Sequence, residues 1–430
     1  MKNLRNMRLH MVSLGCAKNR VDSEKILAIL QQQGCTITDN PEEADCLLVN
    51  SCGFIDAAKR ETIDTILSLA EIKKTKPNAK LAVMGCMVER YKAELQSDIP
   101  EIDYLLAISD ESTKEVYRTD NIKRVTQPGV VSAYLKIAEG CGNACSFCSI
   151  PAIRGPLKSR PLEAVVAEAK ELLSIGIREL VLVAQDTTRY GADLRKKNGL
   201  VELLKQLGDL KELQQGWLRV MYLYPTLITD AMIEMIASGP PFTPYIDVPF
   251  QHYDDAVLKR MGRQESSADI RSLMKRIRKK MPHGAIRTSF IVGFPGETDK
   301  QFNTLLEFVK EARFDHVGVF TYSSEEGTGA AAFADDVPEK VKEKRRAQLM
   351  KAQNAISKKK NKEKLGKTFD ALVERYDEED RLLIGRLATQ APEVDGETIL
   401  DGCESAPGEI IKVTVTGAMD YDLIAHPAQE

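Results

Sequence analysis

No run of 18 consecutive apolar residues occurs anywhere in this 430-residue chain, so nothing in it is built to cross a bilayer as a single helix. No secretory leader is expected either. The basic start Met1-Lys-Asn-Leu-Arg-Asn-Met-Arg8 leads into a short strand-like run rather than an apolar leader core, and the expectation is a cytoplasmic protein with no membrane partner. Cysteines are nine, an odd number, which argues against a disulfide framework and for metal binding or catalysis. What is present is ordinary for a globular protein: 43% hydrophobic and 29% charged residues, in a chain long enough for two to four domains.

Three of the nine cysteines stand together in Cys141-Gly-Asn-Ala-Cys145-Ser-Phe-Cys148, directly after the apolar run Ala133 to Ala138. Three thiolates on one loop can hold three irons of a 4Fe-4S cube and leave the fourth iron open to a ligand. Phe147 can shield such a cluster. A zinc loop or a group of buried thiols is the competing reading, but zinc needs a fourth ligand, and between Cys148 and Cys403 only His252 and His283 are on offer.

Residues 1–127 alternate strand-like segments (Leu9 to Leu14, Asp45 to Asn50, Lys80 to Met84) with helix-like ones (Val21 to Gln33, Ala57 to Lys73). That alternation predicts a doubly wound parallel sheet, whose sites gather outside the carboxyl ends of the strands. Cys16, Cys52 and Cys86 each follow one of the three strands, each with an adjacent glycine, and are expected to converge. The alternative is three coincidental core cysteines. Cys35 and Cys46 lie at the opposite edge and read as small buried hydrophobes.

Gln127-Pro-Gly129 marks a boundary. Six strand candidates follow (Ala133 to Ala138, Glu179 to Val183, Leu218 to Leu223, Pro244 to Val248, Ile286 to Val292, His316 to Tyr322) with helical segments between them, which predicts a partial (βα)6 barrel over 128–335. Its active face is the carboxyl end of the strands, where the Cys141 loop lies. Gln185 and Asp186 at the end of the second strand, and Gly293 at the end of the fifth, are the candidate contacts for a cofactor. His252 either touches substrate or is a structural, hydrogen-bonded histidine.

Residues 336–365 read as a basic linker helix, solvated rather than nucleic-acid binding because no aromatics are interleaved. From 366 to 430 five short strands predict a small antiparallel β-barrel. Residues 367–430 carry five basic against fifteen acidic side chains, a net of −10, which leaves +7 for the remainder of a chain whose total is −3. Such a module repels phosphate backbones and suits a basic protein partner; a solvated acidic face is the alternative.

With both cysteine triads and the small barrel in view, the whole chain resembles the methylthiotransferases of the radical S-adenosylmethionine (SAM) class, which join an N-terminal methylthiotransferase domain, a radical SAM core and a C-terminal TRAM domain. Ser13-Leu-Gly-Cys-Ala-Lys-Asn19, Asn50-Ser-Cys-Gly-Phe-Ile-Asp56, Ala133-Tyr-Leu-Lys-Ile-Ala-Glu-Gly-Cys141 and Val183-Ala-Gln-Asp-Thr-Thr188 carry the likeness. Within the class they are most similar to the branch that modifies an aspartyl residue of the twelfth small-subunit ribosomal protein; tRNA adenosine methylthiotransferases are the alternative. The family usually has Thr where this chain has Ser51.

The resemblance implies a SAM-cleaving 4Fe-4S cluster on Cys141, Cys145 and Cys148 and an auxiliary 4Fe-4S cluster on Cys16, Cys52 and Cys86, with no catalytic residue assigned beyond these ligands. It also implies an electron from a flavodoxin or ferredoxin-type donor, cleavage of SAM to methionine and a 5'-deoxyadenosyl radical, and removal of hydrogen from the β-carbon of the target aspartate. Sulfur would come from the auxiliary cluster and be methylated by a second SAM. The implied partner is a basic ribosomal protein, and the acidic C-terminal module speaks for it against tRNA. From another class altogether, a zinc-stabilised RNA-binding protein would need far less scaffold than six βα repeats.

Overall fold

The computed structural model describes residues 4–111, 113, 116, 123–379 and 381–428. Of the acidic residues counted in the C-terminal module, Asp380 and Glu430 lie outside the described residues.

The first sheet is parallel throughout, with β1 (Arg8–Ser13), β2 (Thr36–Ile37), β3 (Cys46–Ser51), β4 (Lys80–Gly85) and β5 (Tyr104–Leu106) in the order β2-β1-β3-β4-β5. Strand β3 is buried at all six positions, which is why it reads as an unbroken apolar run without alternation. Crossover helices α1 (Ala17–Gln32), α2 (Asp56–Thr75) and α3 (Cys86–Asp98) cover both faces, α1 packing with Ile26 and Leu30 on one side and α2 with Ile66 and Leu69 on the other. The two strands that the sequence did not announce, β2 and β5, are two and three residues long, too short for any periodicity. Helix α1 begins four residues before the predicted Val21 because its first turn, Ala17-Lys-Asn-Arg20, carries no apolar stripe.

The middle of the chain holds six parallel strands, β6 (Ser132–Lys136), β9 (Glu179–Val183), β10 (Trp217–Val220), β11 (Tyr245–Asp247), β12 (Ala285–Val292) and β13 (His316–Thr321), with the short antiparallel pair β7 (Ala138–Glu139) and β8 (Lys158–Ser159) beside the cysteine loop. They pair as β6-β9-β10 and β11-β12-β13, and the two halves meet where Leu223 N–H donates to Asp247 O at 2.9 Å. Helices α4 (Ile150–Arg154), α5 (Leu162–Ser174), α6 (Gly199–Gly208), α7 (Asp230–Ile236), α8 (Asp255–Arg260), α9 (Ser267–Lys280) and α10 (Asp299–Ala312) lie outside them. This is the partial six-stranded barrel expected from the sequence.

Helix α11 (Glu339–Lys362) departs from the solvated linker that its composition predicts. Lys342, Arg345, Leu349, Gln353, Ser357 and Asn361, three or four residues apart, form one buried stripe that is almost wholly polar. Arg345 Nη1 donates to Glu297 O at 3.0 Å, Gln353 Nε2 to Phe314 O at 3.0 Å, and Lys360 Nζ to Asp315 at 2.6 Å. Hydrophobic patterning cannot reveal a helix docked through hydrogen bonds. At its far end Asn361 Nδ2 donates to Tyr421 O at 3.1 Å, so the helix ties the core to the last domain.

That last domain is a closed barrel, β14 (Thr368–Asp377), β15 (Leu382–Leu387), β16 (Thr398–Leu400), β17 (Ile410–Ala418) and β18 (Leu423–Pro427), in the order β14-β15-β16-β18-β17. Its pairings are antiparallel except β16 with β18, which is parallel. The segment between β15 and β16 plugs the amino-terminal mouth of the central barrel. Ala391 is buried among Tyr134, Val181, Met221 and Tyr245, Tyr245 Oη donates to Asp395 at 2.6 Å, and Arg386 and Arg219 flank the fully buried Glu179. Burial pushes the Glu179 carboxyl up, but the two guanidinium groups outweigh it and hold the group down near about 2.

Candidate active site

The Cys141–Cys148 loop leaves β7 and enters α4. Cys141 N–H donates to Gly155 O at 3.1 Å, Ser146 N–H to Met261 O at 2.9 Å, and Cys148 N–H to Cys145 O at 3.2 Å. Asp186, at the end of β9, accepts from Asn143 Nδ2 at 2.8 Å, and Asn143 Oδ1 in turn accepts from Arg189 Nε at 2.9 Å. The loop is thus held by the barrel rim, with all three thiols free and half-buried. They open on a cavity of about 220 Å³, whose wall includes Gln185 and Asp186 and which Lys18 and Phe54 of the first domain help to close. Burial pushes the Cys148 thiol up to about 12 and raises Cys141 as well. Arg263 lies over the Tyr224 ring, 3.7 Å from Cys145 Sγ.

The other triad is built by strand order. Cys16 ends the turn after β1 and caps α1, Cys52 directly follows β3, and Cys86 opens α3 directly after β4. Since β1, β3 and β4 are adjacent and parallel, the three cysteines share one edge, at the point where strand order reverses. A Cβ on Gly15 would stand 2.8 Å from Cys52 Sγ, which shows how closely the β1 and β3 ends approach. Asn19 fastens them, with Nδ2 donating to Leu14 O and Ser51 O at 3.0 Å each and Oδ1 3.7 Å from Cys86 Sγ. Burial raises Cys86 and pushes Cys52 up to about 11. At Cys16 burial also pushes upward, but the Lys18 ammonium, the Arg154 guanidinium and two backbone N–H groups outweigh it, so its thiol is lowered.

Arg154 links the two triads. It closes α4, six residues after Cys148, and its Nη2 lies 3.3 Å from Cys86 Sγ while also meeting Asn19 Oδ1. Its Nη1 pairs with Asp22 of α1 at 2.7 Å and with Glu139 at 3.2 Å, and Lys136 pairs with the same two carboxylates. Burial alone would push Glu139 up, yet Arg154 and Lys136 hold it down near about 2. Asp22, Lys136 and Arg154 are buried, so this network fixes how the edge of the first sheet faces the rim of the barrel.

Among the described residues no three His, Cys, Asp or Glu side chains stand as a single-ion site. The donor chemistry fits iron–sulfur cubes: each triad offers three free thiols, and the loop triad opens on a cavity that could take a ligand of the open iron.

Family models match the chain in three pieces: the Uncharacterized protein family UPF0004 at residues 8–107, the Radical SAM superfamily at 135–309 and the TRAM domain at 365–427. The ribosomal protein uS12 methylthiotransferase RimO of Trichlorobacter lovleyi is 43% identical and aligned over 100% of both chains. That of Aquifex aeolicus is 47% identical over 97% of this chain and 96% of its own. The chain belongs to the RimO family of radical SAM methylthiotransferases. Among solved structures, the radical SAM methyltransferase TsrM from Kitasatospora setae, with cobalamin and a [4Fe-4S] cluster bound, superposes with a TM-score of 0.53 at 14% identity over 76% of this chain and 77% of that one, a likeness of fold alone.

In this RimO-family chain the six cysteines named from the sequence fall in two groups of three at one junction, and Gln185 and Asp186 line the cavity. Gly293 does not join them. Its N–H donates to the Glu297 carboxylate, and a Cβ there would run into the Lys342 side chain of α11. His252 is fully buried, its Nδ1 accepting from Asp254 N–H at 3.0 Å and its Nε2 3.7 Å from Glu297, which is the structural role. Cys35 and Cys46 sit in the core between the sheet and α1. The residues that sequence reasoning missed are Lys18, Asn19, Arg154, Tyr222 and Gln251. Lys18 and Asn19 follow Cys16 within the first motif; Tyr222 and Gln251 carry no signal, since what marks them is a left-handed backbone, φ 62° and 69°.

Proposed function

We propose that this chain adds a methylthio group to the β-carbon of an aspartyl residue of ribosomal protein uS12, with residues 1–127 as the methylthiotransferase domain, 128–335 as the radical SAM core, 336–365 as the connecting helix and 366–430 as the TRAM barrel. In this reading Cys141, Cys145 and Cys148 hold the SAM-cleaving 4Fe-4S cluster and Cys16, Cys52 and Cys86 the auxiliary one. The observation that carries it is Arg154, which closes the helix that follows the loop of one triad and ends 3.3 Å from a thiol of the other. A reaction that makes a carbon radical and delivers sulfur to it needs two such sites across one cavity.

When bound, the clusters and SAM supply the radical chemistry and the sulfur. The chain's own side chains position and enclose. Asp186 and Asn143 hold the loop in place, Arg154 with Asp22, Lys136 and Glu139 fixes the spacing of the two faces, and Phe54, Lys18 and Tyr222 wall the cavity against water. A flavodoxin or ferredoxin-type donor supplies the electron, and the reaction runs in the cytoplasm. Supporting uS12 over a nucleic acid is the C-terminal barrel at −10, with Glu378, Glu379, Glu404 and Glu409 exposed for a basic protein.

Mass spectrometry on uS12 and on total tRNA, from cells with and without the gene, tests the reading. Loss of an increment of about 46 daltons, SCH3 replacing H, from uS12 alone is the expected outcome. Loss from tRNA alone would move the activity to the adenosine-modifying branch.

A further inference from the structure

Lys18 stands where a lysine does nothing for its own helix. It is the second residue of α1, whose first turn contains no acidic side chain, so its charge opposes the helix dipole. It is also buried, at 5% exposure, with Nζ 3.7 Å from the centroid of the Tyr222 ring. No ion pair among the described residues involves it. The carboxylates around it are engaged: Asp247 with Arg287 Nη1 at 3.1 Å and with the Tyr222 N–H at 3.0 Å, Asp186 of the same cavity with Asn143 Nδ2 at 2.8 Å and Arg189 Nε at 3.3 Å, and Asp22 with Lys136 and Arg154. Beside the Cys16 thiol, which it helps to lower, this buried ammonium rests on an aromatic face and has no carboxylate partner of its own.

The same side chain lines the cavity of the Cys141 loop while lying two residues from Cys16, so it hangs between the triads. Tyr222, beneath the ammonium, and Gln251 both reach the cavity from left-handed backbone positions, held by Thr187 N–H on Tyr222 O at 3.0 Å and Ile291 N–H on Gln251 O at 2.7 Å. Backbone strain of that kind persists only where the surroundings enforce it, and two instances on one cavity wall mark a shaped pocket.

We propose that Lys18 binds the side-chain carboxylate of the target aspartyl residue, with Tyr222 as its platform and Gln251 on the cavity wall. The proposal rests on the reading above that an aspartyl residue is the substrate. In aspartate the β-carbon is bonded directly to the carboxyl carbon, so a carboxylate held at Lys18 puts the reacting carbon between the two triads. The other carboxylate that could enter this cavity is that of SAM, and the test separates the two.

Holoenzyme with both clusters is titrated, by fluorescence anisotropy, with a labelled uS12 peptide containing the target Asp and with the same peptide carrying the isosteric, neutral Asn. Wild type is expected to prefer the Asp peptide by about 10- to 100-fold, the range of a charge-assisted hydrogen bond. Lys18→Met should bind both peptides within about twofold of each other, and Lys18→Arg should keep the preference. Iron content checks that each variant is loaded, and a wild type that does not discriminate overturns the proposal without any variant. SAM binding is followed by equilibrium dialysis: a Lys18→Met enzyme that loses SAM affinity but keeps the Asp preference overturns it too. An enzyme that neither binds nor modifies uS12 sinks the substrate reading itself, whereas modification of uS12 with the Asp preference intact in Lys18→Met sinks only the role of Lys18.

Discussion

The two cysteine triads differ in how they are made. One lies within eight residues of chain, on a loop that local hydrogen bonds and Asp186 hold against the barrel rim. The other collects Cys16, Cys52 and Cys86 from three strand ends, and its geometry exists only because β1, β3 and β4 are neighbours in a parallel sheet. A local triad keeps its spacing wherever the loop goes; a dispersed one is as good as the sheet that carries it. The first domain should therefore lose the spacing of its triad through remote structural damage more readily than the second.

Removing a cysteine from each tests that contrast most strongly. Cys145→Ala is expected to abolish SAM cleavage, read as 5'-deoxyadenosine formation, and thiolation with it, while Cys52→Ala keeps SAM cleavage and stops thiolation. Either change should drop iron from about eight to about four per chain. Full thiolation by either variant would separate the chemistry from the triads.

A smaller effect is expected from Arg154→Met, which leaves the buried Asp22 and the half-buried Glu139 with Lys136 as their remaining partner in this network. Breaking a buried network of this kind costs about 3–5 kcal/mol, measurable by urea unfolding. Iron loss from the first domain should exceed that from the loop, because Arg154 touches Cys86 and not the loop thiols. Equal loss from both would show that the two sites unfold as one.

The gentlest test uses glycines. Gly85 precedes Cys86 at φ 93°, and a Cβ there would press on Asn50 Oδ1 and lie 2.9 Å from Ser51 O. Gly142 lies in the loop with no atom within 4 Å of an added Cβ. Gly85→Ala should cost about 1–3 kcal/mol in thermal melts and Gly142→Ala less than about 0.5 kcal/mol. Similar shifts for both would remove the contrast between a built edge and an open loop.

Legibility followed the range of the interactions. The Cys141 loop was readable because its spacing is local, and the strand-end triad because βα alternation fixes which strand end a residue occupies. Gly293 illustrates the limit: it ends a strand on the expected face, but Glu297 and Lys342, the latter from α11, fill the space it was expected to offer a cofactor. Asp186 was named for a cofactor, and the structure adds that it anchors Asn143 of the loop. Helix α11 was misjudged because its buried stripe is polar, and the plug of the C-terminal barrel left no trace in any pattern.

The amino-acid sequence by itself determined the three-part architecture and the six cysteines, since periodicity, glycine-flanked strand ends and short cysteine spacing are properties of neighbouring residues. Only the tertiary structure decided that the triads face each other through Arg154, that Lys18 enters the cavity without a carboxylate, and that the last barrel closes the first mouth of the second. Those facts depend on side chains more than a hundred residues apart, such as Arg154 and Asn19, and burial makes their charges answer to one another.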